Sequence, residues 1–227
     1  MICTVLFDYA GTLAHISPSR ESMLTQYLLA MTKEDFGKDI IARAFKKTDG
    51  ELFYSSVNII TAAAKDNFYN QYNERLFENL GLVSMKGHGH EFRDHYYSVQ
   101  KKWTLKDEVI PTLVDLERQN ITMGVISNFD SSLRAILKEN GIDMFFDFAA
   151  ISQEVGLEKP NIEFYDHVVR KYDIDPGDTL YVGNDYELDY RPATEVGFKC
   201  LLYDEQKYYK NLQVRKITNL KEILHYT

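Results

Sequence analysis

Four short polar segments of this chain carry residue types that could do chemistry together. They are Asp8 with Gly11-Thr12, Ser127-Asn128, Lys159-Pro160, and Asn184-Asp185 followed by Asp189. All lie at strand or loop ends. A carboxylate can attack phosphorus and form an aspartyl-phosphate. Hydroxyl and backbone N–H groups can hold phosphoryl oxygens, and a lysine can neutralise charge on a group in transfer. Further oxygens can complete a site for Mg2+, which takes a few carboxylates and keeps several waters.

The elements that must position these groups follow from the hydrophobic pattern. Residues 2–7 are apolar and β-branched, the signature of a strand buried on both faces, and they stop at Asp8. Residues 17 to about 103 read differently. Ser17 is placed to cap a first helix with Pro18 at its first position, and Met23, Leu24, Tyr27, Leu28 and Met31 follow at helical spacing. Thr32 can cap a second helix with an apolar face of Phe36, Ile40, Ile41, Ala44 and Phe45. A third repeats Ile60, Ala64, Phe68, Tyr72, Leu76 and Leu80 before Gly81, and a fourth runs through Phe92, Tyr96 and Val99. No strand signal interrupts this stretch.

After Trp103 helices and strands alternate. Strands are expected over residues 121–126, 146–151, 179–182 and 199–203. Helices are expected from Pro111, over 131–140, 162–172 and 187–196, with a short one over 220–224. Such alternation implies crossover connections and a parallel sheet. The expected fold is α/β: a doubly wound parallel sheet made of residues 1–14 and 108–227, with an all-helical cap inserted over 15–107. In such a sheet ligands bind beyond the carboxyl ends of the strands, where the four polar segments fall.

With these segments in this order, the chain resembles the haloacid dehalogenase superfamily of hydrolases. The likeness rests on Asp8-Tyr9-Ala10-Gly11-Thr12, the Ser127-Asn128 strand end, Lys159-Pro160 before a helix, and Gly183-Asn184-Asp185 with Asp189. It covers nearly all of the core, and the helical insertion resembles the cap of the subgroup holding haloacid dehalogenase and β-phosphoglucomutase. The resemblance implies a Rossmann-like core and Mg2+ as cofactor. It implies Asp8 as nucleophile and metal ligand, with the backbone carbonyl of Ala10 as another ligand. Gly11, Thr12, Ser127 and Asn128 would bind the phosphoryl group, and Lys159 would organise it and the nucleophile. Asn184 or Asp185 would be the direct metal ligand, with Asp189 behind it. The substrate would be a small phosphorylated metabolite, and the cap would exclude water and select it.

Two departures shape this expectation. Phosphatases of the family carry a second aspartate two residues after the nucleophile, which protonates the leaving group; here that position is Ala10. Alanine there resembles the phosphonatase branch, which cleaves carbon–phosphorus bonds with a cap lysine. Lys33, Lys38, Lys46, Lys47 and Lys65 are available, although a solvated helix face is the simpler account of them. Asn184 stands where the family often has an acid. A non-catalytic protein that binds a phosphorylated ligand is the third reading.

Composition narrows the partners. The chain has 227 residues and a net charge of -8, with 34 acidic against 26 basic residues, which argues against nucleic acid as the main partner. No run of 18 apolar residues suggests a membrane span, and the N-terminus lacks the basic head of a signal peptide, so a cytoplasmic setting is expected. Cys3 and Cys200 lie in apolar runs and are expected as buried thiols rather than a disulfide. His88, His90 and His95 contain a His-x-His pattern that can bind zinc, but Gly87 and Gly89 point to a loop of polar histidines at a helix start.

Overall fold

The computed structural model describes residues 1–53 and 61–227. In chain order its elements are β1 (Thr4–Phe7), β2 (Ala14–Ser17), α1 (Arg20–Thr32), α2 (Lys38–Thr48), α3 (Ala62–Asn79), α4 (Gly89–Ser98), β3 (Lys102–Leu105), α5 (Val109–Arg118) and β4 (Thr122–Ser127). They continue as α6 (Leu133–Glu139), β5 (Phe148–Ile151), α7 (Ser152–Val155), α8 (Ile162–Tyr172), β6 (Thr179–Gly183), α9 (Arg191–Val196), β7 (Lys199–Tyr203) and β8 (Lys216–Ile217).

Six strands form one parallel sheet in the order β5-β4-β1-β6-β7-β8, and β2 and β3 form a separate two-stranded sheet. The expected doubly wound α/β architecture, with helices inserted between β1 and β4, is the one observed. β1 lies between β4 and β6, with Phe7 in register with Val125 and Val182. The winding reverses on either side of β1, so the crevice of this fold opens at its carboxyl end.

Alternation along the strands builds two apolar layers. Val5, Phe7, Met123, Val125, Leu180, Val182, Leu201 and Tyr203 belong to one cluster, while Leu6, Ile126, Tyr181 and Cys200 belong to another. Successive side chains point to opposite faces, and both faces are buried, which explains why these strands read as continuous apolar runs rather than alternating ones.

The chain divides into two compact units, Met1–His15 with Trp103–Thr227, and Ile16–Lys102. The second has its own core, in which Leu24, Leu28, Ile41, Phe45, Leu76 and Phe77 are buried. Its helices keep most of the expected apolar faces, except that Met31 and Ile40 are exposed and Phe36 precedes α2, and they do not keep all the expected ends. α1 is capped by Ser19, whose hydroxyl accepts from Ser22 N, rather than by Ser17, which ends β2. A residue before proline favours extended backbone, which suits Ser17 to a strand. Thr32 closes α1 instead of opening α2: its hydroxyl donates to Leu28 O, and Gly37 precedes α2. Thr61 caps α3, and Gly81 after it takes φ 76°. The expected contribution of Ile60 lies outside the described residues.

In the sheet-bearing unit, the expected helix over 187–196 is split into a π-type turn, Tyr186–Tyr190, and α9. The last helix is 3-10 in type, over Leu220–His225. Cys200 is buried as expected, but Cys3 is exposed, because it precedes β1 rather than lying within it.

Candidate active site

Asp8 follows the last residue of the central strand. Its backbone N–H still donates to Val182 O at 2.9 Å, so the carboxylate is held at the sheet edge by the ladder itself. The chain then turns tightly: Leu13 N donates to Tyr9 O at 2.9 Å and Gly11 N to Ala14 O at 2.7 Å. Gly11 takes φ 88°, a left-handed conformation that favours glycine. The turn brings Thr12 Oγ1 to 3.0 Å from Asp8 Oδ2, to which it donates. Asp8 and Thr12 are both buried.

Lys159 reaches the same carboxylate from the loop before α8. Its Nζ donates to Asp8 Oδ1 at 2.7 Å and to Asp189 Oδ1 at 2.6 Å, with only 4% of the residue exposed. Asn128, just past β4, fixes the lysine backbone from both sides: Nδ2 donates to Lys159 O at 2.8 Å, and Oδ1 accepts from Lys159 N at 2.7 Å. The expected phosphate-binding amide is therefore committed to holding Lys159. Ser127, the last residue of β4, is buried at the same end of the sheet.

The third wall comes from the end of β6. Asn184 lies against Gly11 so closely that a Cβ there would sit 2.6 Å from Asn184 Nδ2. Asp185 Oδ1 accepts from Glu187 N at 2.8 Å and Leu188 N at 2.9 Å, capping the turn that follows. Asp189 is buried behind Lys159, where its Oδ2 accepts from Asp185 N at 3.0 Å. Gly183 makes room for it, since a Cβ at Gly183 would fall 2.4 Å from Asp189 Cγ.

Two residues that sequence reasoning did not single out complete this wall. Tyr181 donates to Asp189 Oδ1 at 2.9 Å, and its hydroxyl lies 3.4 Å from Lys159 Nζ. Tyr165 donates to Leu188 O and meets the Tyr181 ring edge-on at 5.6 Å. Both sit at apolar-periodic positions, where a tyrosine gives no sequence signal that its hydroxyl is used.

Burial pushes the Asp8 carboxyl up to about 6; the Lys159 ammonium pulls it down, and the Asp189 charge adds to the rise. Burial alone would lower the Lys159 ammonium, but Asp189 and Asp8 more than reverse this and keep it charged. Two carboxylates around one ammonium leave an uncompensated negative charge when Asp8 ionises, a setting that favours a cation.

The oxygen donors fit such a cation. Asn184 Oδ1, in one orientation of the amide, lies 3.1 Å from Ala10 O and 3.3 Å from Asp8 Oδ2. Adjacent ligands of an octahedral Mg2+ at its usual bond length stand about 3.0 Å apart. Among the described residues no three His, Cys, Asp or Glu side chains gather into a metal cage, so a cation here rests on this mixed set. The same observation bears on the histidine cluster. His88 Nδ1 lies 3.0 Å from Glu91, and the His95 ring packs 5.4 Å from that of Tyr27.

A doubly wound sheet with a carboxylate–lysine pair at its switch point defines an α/β protein of the kind that does chemistry at strand ends. The chain belongs to the haloacid dehalogenase-like hydrolases, whose family model matches residues 2–197. It is 34% identical over 101 residues to the glyceraldehyde 3-phosphate phosphatase of Methanothermobacter thermautotrophicus, covering 42% of this chain and 42% of that protein. Over 100 residues it is 31% identical to the human haloacid dehalogenase-like hydrolase domain-containing protein 3, covering 44% and 40%. Such matches span between 37% and 56% of the length of these curated relatives. In fold the chain is similar to YfnB of Bacillus subtilis bound to magnesium (TM-score 0.71, 18% identity, 99% and 98% of the two chains covered). It is likewise similar to the L-2-haloacid dehalogenase RSc1362 (TM-score 0.68, 16% identity, 99% and 98% covered). No described helix is long and apolar enough to cross a membrane.

Proposed function

We propose that this chain hydrolyses a small phosphorylated compound through an aspartyl-phosphate on Asp8. The observation that carries this reading is the pairing of a buried carboxylate at the end of the central strand with a charged, fully buried lysine 2.7 Å away. The Asp8 carboxylate attacks phosphorus, the bond to the leaving oxygen breaks, and water then cleaves the acyl phosphate. Lys159 aligns Asp8 and offsets the charge on the phosphoryl oxygens. Thr12 and Ser127 offer hydroxyls to those oxygens, and Gly11 lets the backbone approach them. Asn128 holds Lys159, and Asp189 with Tyr181 anchors it from behind. Mg2+, held by Asp8, the Ala10 carbonyl and Asn184, would supply further neutralisation of phosphoryl charge.

Ala10 supplies no proton to the leaving group. The reading therefore favours substrates whose leaving groups depart without one, such as acyl, enol or aryl phosphates, over simple alkyl phosphates. The likeness to the glyceraldehyde 3-phosphate phosphatase of Methanothermobacter thermautotrophicus supports a small phosphorylated compound as the substrate class.

The test is turnover of p-nitrophenyl phosphate and acetyl phosphate, with magnesium and with chelator. Asp8→Asn is expected to abolish turnover in either condition. Equal rates for wild type and Asp8→Asn would overturn the reading. Release of an aldehyde from an aldehyde phosphonate, with an adduct trapped by borohydride, would replace it by carbon–phosphorus cleavage.

A further inference from the structure

The Lys159–Asp189 ion pair joins two segments 30 residues apart, and one helix meets both. Lys159 lies in the loop that leads into α8, where Asn161 caps the helix by accepting from Glu163 N at 2.9 Å. Tyr165 follows on the same helix. Its ring is fully buried against Tyr181, Phe164 and Phe198, with centroids 5.6, 6.4 and 6.5 Å away. Its hydroxyl donates to Leu188 O, inside the turn Tyr186–Tyr190 that carries Asp189. In an α-helix that carbonyl would accept from the N–H four residues on, but the residue there is Pro192, which has none. The phenol stands in for the missing donor. Burial first, and then the Asp189 charge beside it, push the Tyr165 phenol well above its ordinary range, so it stays protonated and donating.

We propose that Tyr165 is a positioning residue for the reaction: by holding the Leu188 carbonyl it turns Asp189 toward Lys159, so that α8 sets both members of the ion pair that presents the ammonium to Asp8. The proposal rests on the reading that Asp8 and Lys159 carry the chemistry, and it goes beyond that reading in naming what aligns them. The action passes through neighbours in turn. Leu188 precedes Asp189, whose Oδ1 meets Lys159 Nζ at 2.6 Å, and Lys159 Nζ in turn meets Asp8 Oδ1 at 2.7 Å. A phenylalanine would pack as well against Tyr181 and Phe198, so the hydroxyl is the part that the reaction uses. Without it the turn loses a tie to α8, and Asp189 is free to shift. Misplacing a reacting group by about 1 Å costs about 10²-fold in rate, so a shift well below that distance is still measurable.

Steady-state turnover of p-nitrophenyl phosphate in magnesium, together with urea unfolding, tests this in Tyr165→Phe, Asp189→Asn and the double variant. Tyr165→Phe is expected to lower kcat about tenfold or more and to change KM by less than about twofold. Asn219→Ala, which removes the cap of the last 3-10 helix, controls for a general loss of stability and should keep kcat. Once Asp189 can no longer pair as an anion with Lys159, the phenol has little left to align. Adding Tyr165→Phe to Asp189→Asn should therefore change kcat by less than about twofold. An unchanged kcat in Tyr165→Phe overturns the proposal, as does an equal fall in Asn219→Ala or a double variant in which the two losses multiply. Should Asp189→Asn show no measurable turnover, the urea midpoints of the same four proteins decide the coupling, and additive losses overturn it. Failure of the hydrolase reading shows separately, as an Asp8→Asn variant that matches wild type. The urea cycle needs no turnover and still decides whether Tyr165 acts on Asp189.

Discussion

Lys159 Nζ stands between two buried carboxylates, 2.7 Å from Asp8 Oδ1 and 2.6 Å from Asp189 Oδ1. Removing the ammonium leaves two neighbouring charges in a space closed to water. Breaking a buried pair from one side typically costs about 3–5 kcal/mol, because the partner remains unpaired. Lys159→Met is therefore expected to lower the urea midpoint by that order and to abolish turnover. Adding Asp189→Asn should return part of the stability and none of the activity. A single variant as stable as wild type would show that the pair does not hold the site together.

The charge balance also sets a pH dependence in the absence of metal. Asp8 titrates near 6 in the fold, above its ordinary value of 3.8. Between these values the folded state holds a proton that the unfolded state has released, so stability is fully present below about 3.8 and is lost as pH rises through 6. Asp8→Asn escapes this loss. In chelator it is expected to be more stable than wild type at pH 7.5, by up to about 3 kcal/mol, with the gap closing toward pH 4. A constant gap across that range would place the strain elsewhere. Magnesium should shrink the gap, since it favours the ionised carboxylate.

Tyr181 offers a finer probe of the same network. Its hydroxyl donates to Asp189 Oδ1 at 2.9 Å, and the ring packs in an apolar layer beside Tyr165 and Phe198. Tyr181→Phe keeps the packing and removes one donor to a charged acceptor. The expected loss is about 1.5–3 kcal/mol of stability, with a fall in kcat larger than any change in KM, because Asp189 Oδ1 is left with the Lys159 ammonium and without its second donor. If kcat is untouched while stability falls, the hydroxyl serves the fold and not the reaction.

Much of this arrangement is legible in the sequence. β1, β4, β6 and β7 read as apolar runs because both faces of the sheet are covered, and the polar residue ending each run marks the carboxyl edge. β2 and β3 escaped because they are four residues each: Ala14–Ser17 and Lys102–Leu105 alternate between apolar and polar residues, but over too short a run to stand out from the helical pattern around them. The choice between Asn184 and Asp185 could not be read from spacing. They are adjacent at a strand end, where a shift of one residue reverses the side-chain direction. The structure puts the Asn184 amide beside Asp8 and gives Asp185 Oδ1 two backbone N–H groups to cap. Asn128 likewise has the residue type of a phosphate ligand, yet its partner is a backbone segment 31 residues away, a contact that only the folded chain creates. Cys3 shows the limit of apolar runs at their ends: one residue before the strand, it is exposed, and thiol reagents should modify it long before Cys200 in the folded protein.

Ala10 is the position where an added group should improve the chemistry. Its backbone carbonyl faces Asn184 at 3.1 Å, and its side chain is only partly buried, in a turn held by the Gly11 N to Ala14 O hydrogen bond. Ala10→Asp leaves that carbonyl in place and adds a carboxyl two residues from Asp8. If proton delivery limits the reaction, the variant should raise kcat for alkyl phosphates by about 10²-fold, the lower end of what general acid–base help supplies. Acetyl phosphate, whose leaving group departs as an anion, should gain little. The ratio of the two rates is the informative quantity, because a general loss of folding or metal affinity would move both together. An unchanged ratio in a folded variant would mean that the leaving group already finds its proton elsewhere, and that Ala10 does not limit the choice of substrate.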